Sequence, residues 1–99
     1  MTDYATDCKK FEKYAAEHGL CTAARALWYA LRYIFDKGGD PGRLNIAGKV
    51  LRDHLHVTHS TIQTGRRALV ESGLISFYGE KGWNIYTMHD IPDPEARHD

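Results

Sequence analysis

The side chains best suited to chemistry lie along one short stretch near the middle of the chain. His59, Gln63 and Arg67 follow one another every four residues, and Ser60 and Thr64 repeat this spacing one position later. Residues four apart lie on the same face of an α-helix. These side chains are polar and rich in hydrogen-bond donors, the types that contact base edges and phosphates in the DNA major groove. The spacing therefore predicts a helix with one face suited to DNA.

Different roles are expected within this face. Gln63 and Arg67 are the candidates for base contacts, since Gln pairs with adenine and Arg with guanine through two hydrogen bonds each. His59, Ser60 and Thr64 lie nearer the start of the helix, where backbone N–H groups attract phosphate. Sequence preference is then expected to depend mainly on Gln63 and Arg67.

Three further basic residues are expected to contact the DNA backbone without reading its sequence. Lys49 and Arg52 belong to a preceding helix, and Lys81 lies at the tip of a predicted hairpin. Glu80 beside Lys81 opposes a phosphate contact, so the contact at the tip is expected to be weak. An amphipathic helix always has a polar face, and the same pattern also fits a helix that binds protein.

Local sequence predicts both ends of the central helix. Thr58 is a suitable N-cap because its hydroxyl accepts a hydrogen bond from the first turn, and Val57 and Ile62 have the spacing of a hydrophobic staple. Gly73 followed by Leu74 is typical of a helix that ends in a left-handed glycine. The residues expected to face the core are Ile62, Leu69 and Val70, with Gly65 or Arg66 between them.

An N-terminal helix is predicted over residues 7–18, ending at Gly19. Its apolar stripe consists of Phe11, Tyr14, Ala15 and His18. One interpretation is a partner-binding helix outside the core, and the preferred one is an extension that packs on the domain.

The strongest helical periodicity spans residues 23–37, with Thr22 as the expected N-cap. Its stripe consists of Ala24, Leu27, Trp28, Leu31, Ile34 and Phe35. Trp28 lies within this stripe and is expected in the core rather than against a base. Tyr29 and Tyr33 lie off the stripe and are candidates for an exposed contact with another protomer.

Shorter elements complete the pattern. Asn45 is the expected N-cap of a helix that ends near residue 55 and has Gly48 in its interior. The apolar face of that helix consists of Ile46, Ala47, Val50, Leu51 and Leu55. The expected strands are 43–44, 76–78 and 83–88, with a four-residue hairpin loop at 79–82 and loops or tails at 38–42 and 90–99.

A cluster of three histidines could in principle bind zinc through three imidazoles; it consists of His54, His56 and His59. The cluster spans a helix end, a turn and a helix start, so the rings are expected to diverge, and surface histidines are the preferred interpretation. The sequence has no glycine-rich phosphate loop, nucleophile motif or helical HExxH. No enzyme, metal or cofactor is therefore predicted.

The composition is that of one small folded domain. The chain has 99 residues, 42% of them hydrophobic. It contains no apolar run of about 18 residues and no visible secretory signal. Cys8 and Cys21 are too few for a disulfide framework, and free thiols in a reducing compartment are expected. These features predict a cytoplasmic protein with no membrane contact.

The formal charge is zero, with 13 basic and 13 acidic residues, which counts against strong non-specific binding of nucleic acid. The charge is nevertheless polarised. Residues 43–82 hold six basic side chains against three acidic ones, and residues 83–99 hold one against four. The predicted DNA-contacting unit is thus moderately basic, and modest affinity per chain is expected.

Three stretches resemble a known family more closely than a generic helix-turn-helix. They are residues 26–34, which contain Leu27-Trp28-Tyr29-Ala30-Leu31, then Leu51, and then residues 68–75 with Arg66 three residues ahead of Leu69. This combination is similar to the N-terminal domain of the DnaD-like replisome organisers of phages and mobile elements of Gram-positive bacteria. The resemblance covers roughly residues 8–88.

The resemblance implies binding at a replication origin, self-association, and helicase-loader recruitment through a second domain. The sequence stops at Asp99, so loader recruitment is not carried over. A stand-alone derivative and a fragment are both compatible with that length. The family's aromatic-rich loop is replaced here by glycines, aspartate and proline at 38–42.

Taken together, an α+β winged helix-turn-helix is expected, mainly helical and with a two-stranded β-hairpin wing. The expected parts are a helical extension over 1–21, the winged domain over 22–89 and a disordered polar tail over 90–99. The expected function is sequence-specific binding of double-stranded DNA by a homodimer through the helix at 58–72, in replication initiation or transcription regulation of a phage or mobile element. Replication proteins are further expected partners. The alternative is a protein–protein interaction module on the same scaffold.

Overall fold

The computed structural model describes residues 3–38 and 42–92. In these ranges the elements are α1 (Tyr4–His18), α2 (Thr22–Lys37), β1 (Arg43–Asn45), α3 (Gly48–Leu55), α4 (His59–Glu71), β2 (Ile75–Glu80) and β3 (Trp83–Met88). The class is α+β, as the sequence predicts. None of the described helices is long and apolar enough to cross a membrane.

Helix α2 lies at the centre of the core because its apolar stripe is continuous over four turns. Leu27, Leu31 and Phe35 are fully buried, and Trp28 is 1% exposed. Burying each such side chain contributes about 1.5–3 kcal/mol to folding. The prediction that Trp28 belongs to the core is confirmed.

Helix α1 packs against α2 through stacked aromatic rings. The rings of Phe11 and Trp28 lie 4.2 Å apart and 3° from parallel. Tyr14 donates a hydrogen bond from its hydroxyl to the carbonyl oxygen of Ser72, at the end of α4 (3.3 Å). Helix α1 begins at Tyr4, three residues before the predicted start, and ends at Gly19 in the left-handed conformation, as predicted. It thus contributes directly to the core.

An ion pair between Asp7 and Arg32 lies inside the α1–α2 interface. The Nε of Arg32 donates to Oδ2 of Asp7 at 2.9 Å, and both side chains are almost completely buried. Charges removed from water are tolerated only where they are paired and hydrogen-bonded. The pair therefore fixes how α1 is placed on α2.

Two of the three predicted N-caps are wrong. The N-cap of α2 is Cys21, with Thr22 already in the helix, and the N-cap of α3 is Ala47. Neither cap forms a side-chain hydrogen bond. Asn45 lies in β1 instead, where its Oδ1 accepts a hydrogen bond from the backbone N–H of Asn84 (2.8 Å). Pairing with the sheet thus replaces the expected capping role.

The later start of α3 also changes its apolar face. Gly48 is the first residue of the helix and not an interior one. Leu51 is fully buried, but Val50 is half exposed, contrary to the predicted stripe. The shorter helix therefore buries little beyond Leu51.

The strands form an antiparallel sheet in the order β1-β3-β2. The predicted strand at 43–44 is confirmed, and Arg43 pairs with Thr87. The predicted four-residue hairpin loop is wrong. Glu80 pairs with Trp83, which leaves a two-residue turn of Lys81 and Gly82, the latter at φ 74°. Positive φ at the second turn residue is the conformation that glycine adopts without strain.

Two predicted irregular segments fall mostly outside the described residues. Positions 39–41 of the predicted loop and 93–99 of the predicted tail lie there. Of the described tail residues, Ile91 is buried and joins the core cluster.

Candidate nucleic-acid interface

Helix α4 has the two ends that its sequence predicts. Thr58 is the N-cap, and its Oγ1 accepts a hydrogen bond from the N–H of Thr61 (3.3 Å). Gly73 has φ 78°, and the N–H of Leu74 bonds to the carbonyl of Leu69 at 3.0 Å. This 6→1 hydrogen bond is that of a Schellman motif. Local interactions therefore fix the length of α4.

A short turn joins α3 to α4. His56 ends α3 in the left-handed conformation at φ 56°, and its N–H bonds to the carbonyl of Arg52 (2.7 Å). Val57 is half-buried and precedes the N-cap of α4. The two helices are thus consecutive, and only a three-residue turn separates them.

The five side chains singled out on α4 are all exposed. They are His59, Ser60, Gln63, Thr64 and Arg67. The opposite face carries the buried Ile62, Gly65 and Leu69. The structure therefore brings the predicted polar residues together on the outward side of the helix.

Gly65 allows α4 to lie directly on the start of α2. A Cβ at this position would lie 2.5 Å from the carbonyl oxygen of Ala23 and 2.9 Å from its carbonyl carbon. Glycine is thus required by close backbone contact. Of the two residues considered for the core side of α4, Gly65 is the one that packs there.

Val70 departs from the predicted core face. It is 42% exposed and lies towards the hairpin, because α4 packs on α2 through Ile62, Gly65 and Leu69. The rotation of the helix that buries these three residues leaves Val70 at the edge of the interface.

Arg66 connects α4 to the β2–β3 hairpin. Its guanidinium carbon lies 3.9 Å from the centre of the Phe77 ring, and its Nη1 donates to the hydroxyl of Tyr86 (3.2 Å). At Gly79 a Cβ would lie 2.8 Å from the Phe77 ring. Sequence reasoning gave Arg66 no contact, since its partners lie on two strands whose placement no local pattern predicts.

A cleft of about 470 Å³ separates the exposed side of α4 from the hairpin. It is lined by Gln63, Arg66, Arg67, Val70, Glu71 and Phe77. Two of the lining residues, Gln63 and Arg67, also belong to the outward polar face. The cleft and that face therefore form one continuous surface.

The three other predicted DNA-contacting residues surround α4. Lys49 is exposed and donates a hydrogen bond to Asp53 (2.6 Å), and this hydrogen bond lowers the pKa of the Asp53 carboxyl. Arg52 is half-buried, and Lys81 is exposed in the hairpin turn. The charge of Lys49 is thus partly compensated by its neighbour.

The exposed side of the hairpin is aromatic. Tyr78 and Trp83 are both more than half exposed, a surface that sequence reasoning did not single out. The hydroxyl of Tyr78 donates to the Glu80 carboxylate, which raises the pKa of Tyr78. Glu80 is thereby held against Tyr78 beside the turn.

The three histidines considered for a metal site are all exposed at the α3–α4 junction. His54 lies beside the ring of Tyr33, with ring centres 5.7 Å apart. In residues 3–38 and 42–92 no group of three His, Cys, Asp or Glu side chains is arranged to hold a metal ion.

A second cleft of about 420 Å³ lies between α2, the start of α1 and the end of α3. Tyr4, Tyr29, Tyr33 and Leu55 contribute to its lining. Tyr33 is 42% exposed, as expected for a residue off the stripe. Tyr29 is instead half-buried against Phe11, at 5.3 Å between ring centres. The expectation of two exposed tyrosines is therefore wrong for Tyr29.

The two cysteines differ in environment, which predicts different reactivity. Both are free, with Cys21 exposed and Cys8 half-buried. Burial raises the pKa of the Cys8 thiol, so less of it is the reactive thiolate at pH 8. Iodoacetamide is expected to modify Cys21 first, as peptide mass spectrometry of timed samples would show. Faster modification of Cys8 in the folded protein would contradict this.

No protein-family model, curated protein or solved structure matches the chain. The site is therefore interpreted from its own geometry.

Proposed function

We propose that this protein binds double-stranded DNA through a winged helix-turn-helix. In this assignment α3, the turn and α4 form the helix-turn-helix, and the β2–β3 hairpin, extended by β1, forms the wing. The observation that carries the proposal is the outward face of α4, where five polar side chains are exposed together. A recognition helix needs such a face to enter the major groove.

The proposed mechanism separates base contacts from backbone contacts. Gln63 and Arg67 contact base edges, since each can form paired hydrogen bonds to adenine or guanine. Lys49, Arg52 and Lys81 contact phosphates and position the domain. One module of this size buries little area, so a homodimer on paired half-sites would supply the specificity.

The biological setting is proposed from the sequence resemblance. It is replication initiation or transcription regulation of a phage or mobile element, with replication proteins as further partners. Replication initiation and transcription regulation require the same duplex-binding face. A test of duplex binding therefore applies to both roles.

Fluorescence anisotropy tests the proposal with a labelled random duplex at two salt concentrations. Binding is expected to weaken as salt rises, with a slope of about 0.9 log units per neutralised phosphate. No binding at low salt would refute the proposal.

Arg67→Ala tests the groove assignment. Affinity for a selected site is expected to fall about 10- to 100-fold, and preference at the base opposite Arg67 to relax, because a bidentate base contact is lost. The matched control is Lys9→Ala, which removes one exposed positive charge from α1 and is expected to change affinity little. Unchanged site preference in Arg67→Ala would place the groove contact elsewhere.

The second candidate function is a protein-interaction module. The aromatic cleft at Tyr4, Tyr29 and Tyr33 and the exposed Trp83 favour it, since aromatic residues are enriched in protein interfaces. A pull-down with the whole chain, followed by competition with duplex DNA, distinguishes the two functions.

A further inference from the structure

We propose that the cleft between α4 and the hairpin binds a phosphodiester of the nucleic-acid backbone, with Arg66 as the residue that holds it. The proposal rests on the DNA-binding function above and adds to it a site inside the fold. It assigns Arg66 a direct contact with the ligand.

The guanidinium of Arg66 is held in place before any ligand arrives. Phe77 covers one of its faces at 3.9 Å, and the hydroxyl of Tyr86 accepts a hydrogen bond from Nη1. Gly79 leaves room for the Phe77 ring, since a Cβ there would lie 2.8 Å from it. A group already immobilised loses less entropy on binding than a free surface arginine.

Most of the donors of Arg66 remain available. A guanidinium has five N–H groups, and stacking on a ring leaves its in-plane edges open. In residues 3–38 and 42–92 the hydrogen bond to Tyr86 is the one that Arg66 forms. Arg66 also lines the cleft, and among the described residues its other N–H groups have no hydrogen-bond acceptor.

The chemistry of the cleft fits a singly charged phosphodiester. Arg66 and Arg67 supply two positive charges against one from Glu71, and Gln63 supplies a neutral donor. A guanidinium matches two phosphate oxygens through parallel hydrogen bonds. The volume of about 470 Å³ lies in the range of small-ligand sites.

The position of the cleft relates it to the recognition face. Gln63 and Arg67 line the cleft and also belong to the outward side of α4. A strand whose phosphate rests on Arg66 would therefore have its bases beside these two residues. Arg66 would thus set the register in which α4 reads the groove.

The test uses duplexes with a single neutral methylphosphonate placed at successive backbone positions. The wild-type protein is expected to lose about tenfold in affinity at one position beside the contacted groove. Arg66→Gln is expected to bind the unmodified duplex about tenfold more weakly, with the salt slope reduced by about one, and to be insensitive to that methylphosphonate.

Two further variants separate contact from folding. Arg66→Lys keeps the positive charge and is expected to restore the salt slope and part of the methylphosphonate sensitivity. Glu71→Gln removes the opposing charge and is expected to strengthen binding two- to fivefold. If Arg66→Gln does not fold, Arg66→Lys is tested in its place. If the affinity of folded Arg66→Lys does not depend on the position of the methylphosphonate, the proposal is overturned.

Failure of this proposal differs from failure of the proposed function. Tight duplex binding with full methylphosphonate sensitivity in Arg66→Gln overturns the phosphate site and leaves DNA binding intact. If the wild-type protein binds no duplex, its Arg66 Nε–H signal is followed by NMR during titration with inorganic phosphate. A saturable shift of that signal supports an anion site without DNA binding, and no shift overturns both.

Discussion

Replacing Asp7 with alanine is expected to lower the free energy of unfolding by about 3–5 kcal/mol. The reason is that Arg32 is 2% exposed and would keep its charge inside the α1–α2 interface after losing the carboxylate 2.9 Å from its Nε. A domain of this size has a total stability of about 5–15 kcal/mol. Urea denaturation followed by circular dichroism measures the loss, and Glu17→Ala, which removes an exposed carboxylate from α1, is the control.

The paired replacement Asp7→Leu with Arg32→Met distinguishes the cost of a buried charge that has lost its carboxylate from a loss of packing. Apolar residues of similar volume remove both charges together and are expected to recover most of the stability. A double variant as unstable as Asp7→Ala would show that shape, and not charge, dominates at this position.

Replacing Gly65 with alanine is expected to destabilise the protein by about 3 kcal/mol, at the upper end of the usual cost of overpacking. The added Cβ would lie 2.5 Å from the backbone oxygen of Ala23, which no rotamer change can relieve. Helix α4 must therefore move away from α2. Thermal and urea denaturation measure the stability, and the same shift is expected to weaken duplex binding.

Gly48→Ala is the matched control for this change. There the added Cβ would lie 3.4 Å from Nη1 of Arg52, the end of a flexible side chain. Alanine also favours helix over glycine, although at the first helical position the gain is smaller than the value of about 1 kcal/mol for a helix interior. The variant is expected to be neutral or slightly more stable. Equal destabilisation by both substitutions would refute the close-contact explanation for Gly65.

The elements that sequence predicts well are those determined by local interactions. The stripe of α2 repeats without interruption, so burial of Leu27 and Trp28 follows from periodicity alone. The ends of α4 depend on Thr58 and Gly73, which act on backbone groups within one turn. The outward polar face of α4 follows from the same periodicity.

The features that sequence did not predict depend on pairing over long distances. Asn45 is a residue type that often caps helices. Its side-chain oxygen instead accepts a hydrogen bond from the backbone of strand β3. The ion pair of Asp7 and Arg32 joins two helices whose packing no local pattern encodes. Arg66 likewise has its partners on the hairpin, so neither its contact nor the cleft beside it was foreseeable.

The pairing of β1 with β3 brings together two segments about 40 residues apart and closes the part of the chain between them into a long loop. Backbone hydrogen bonds join Arg43–Asn45 to the last strand, and the N–H of Ile46 bonds to the carbonyl of Asn84 (2.9 Å). Closing a loop of this length costs conformational entropy, and this cost is offset only when the helices within the loop pack. Helices α3 and α4 and the hairpin are therefore expected to unfold together. The distances between Lys49, Arg67 and Lys81 are therefore maintained only while these elements are folded together.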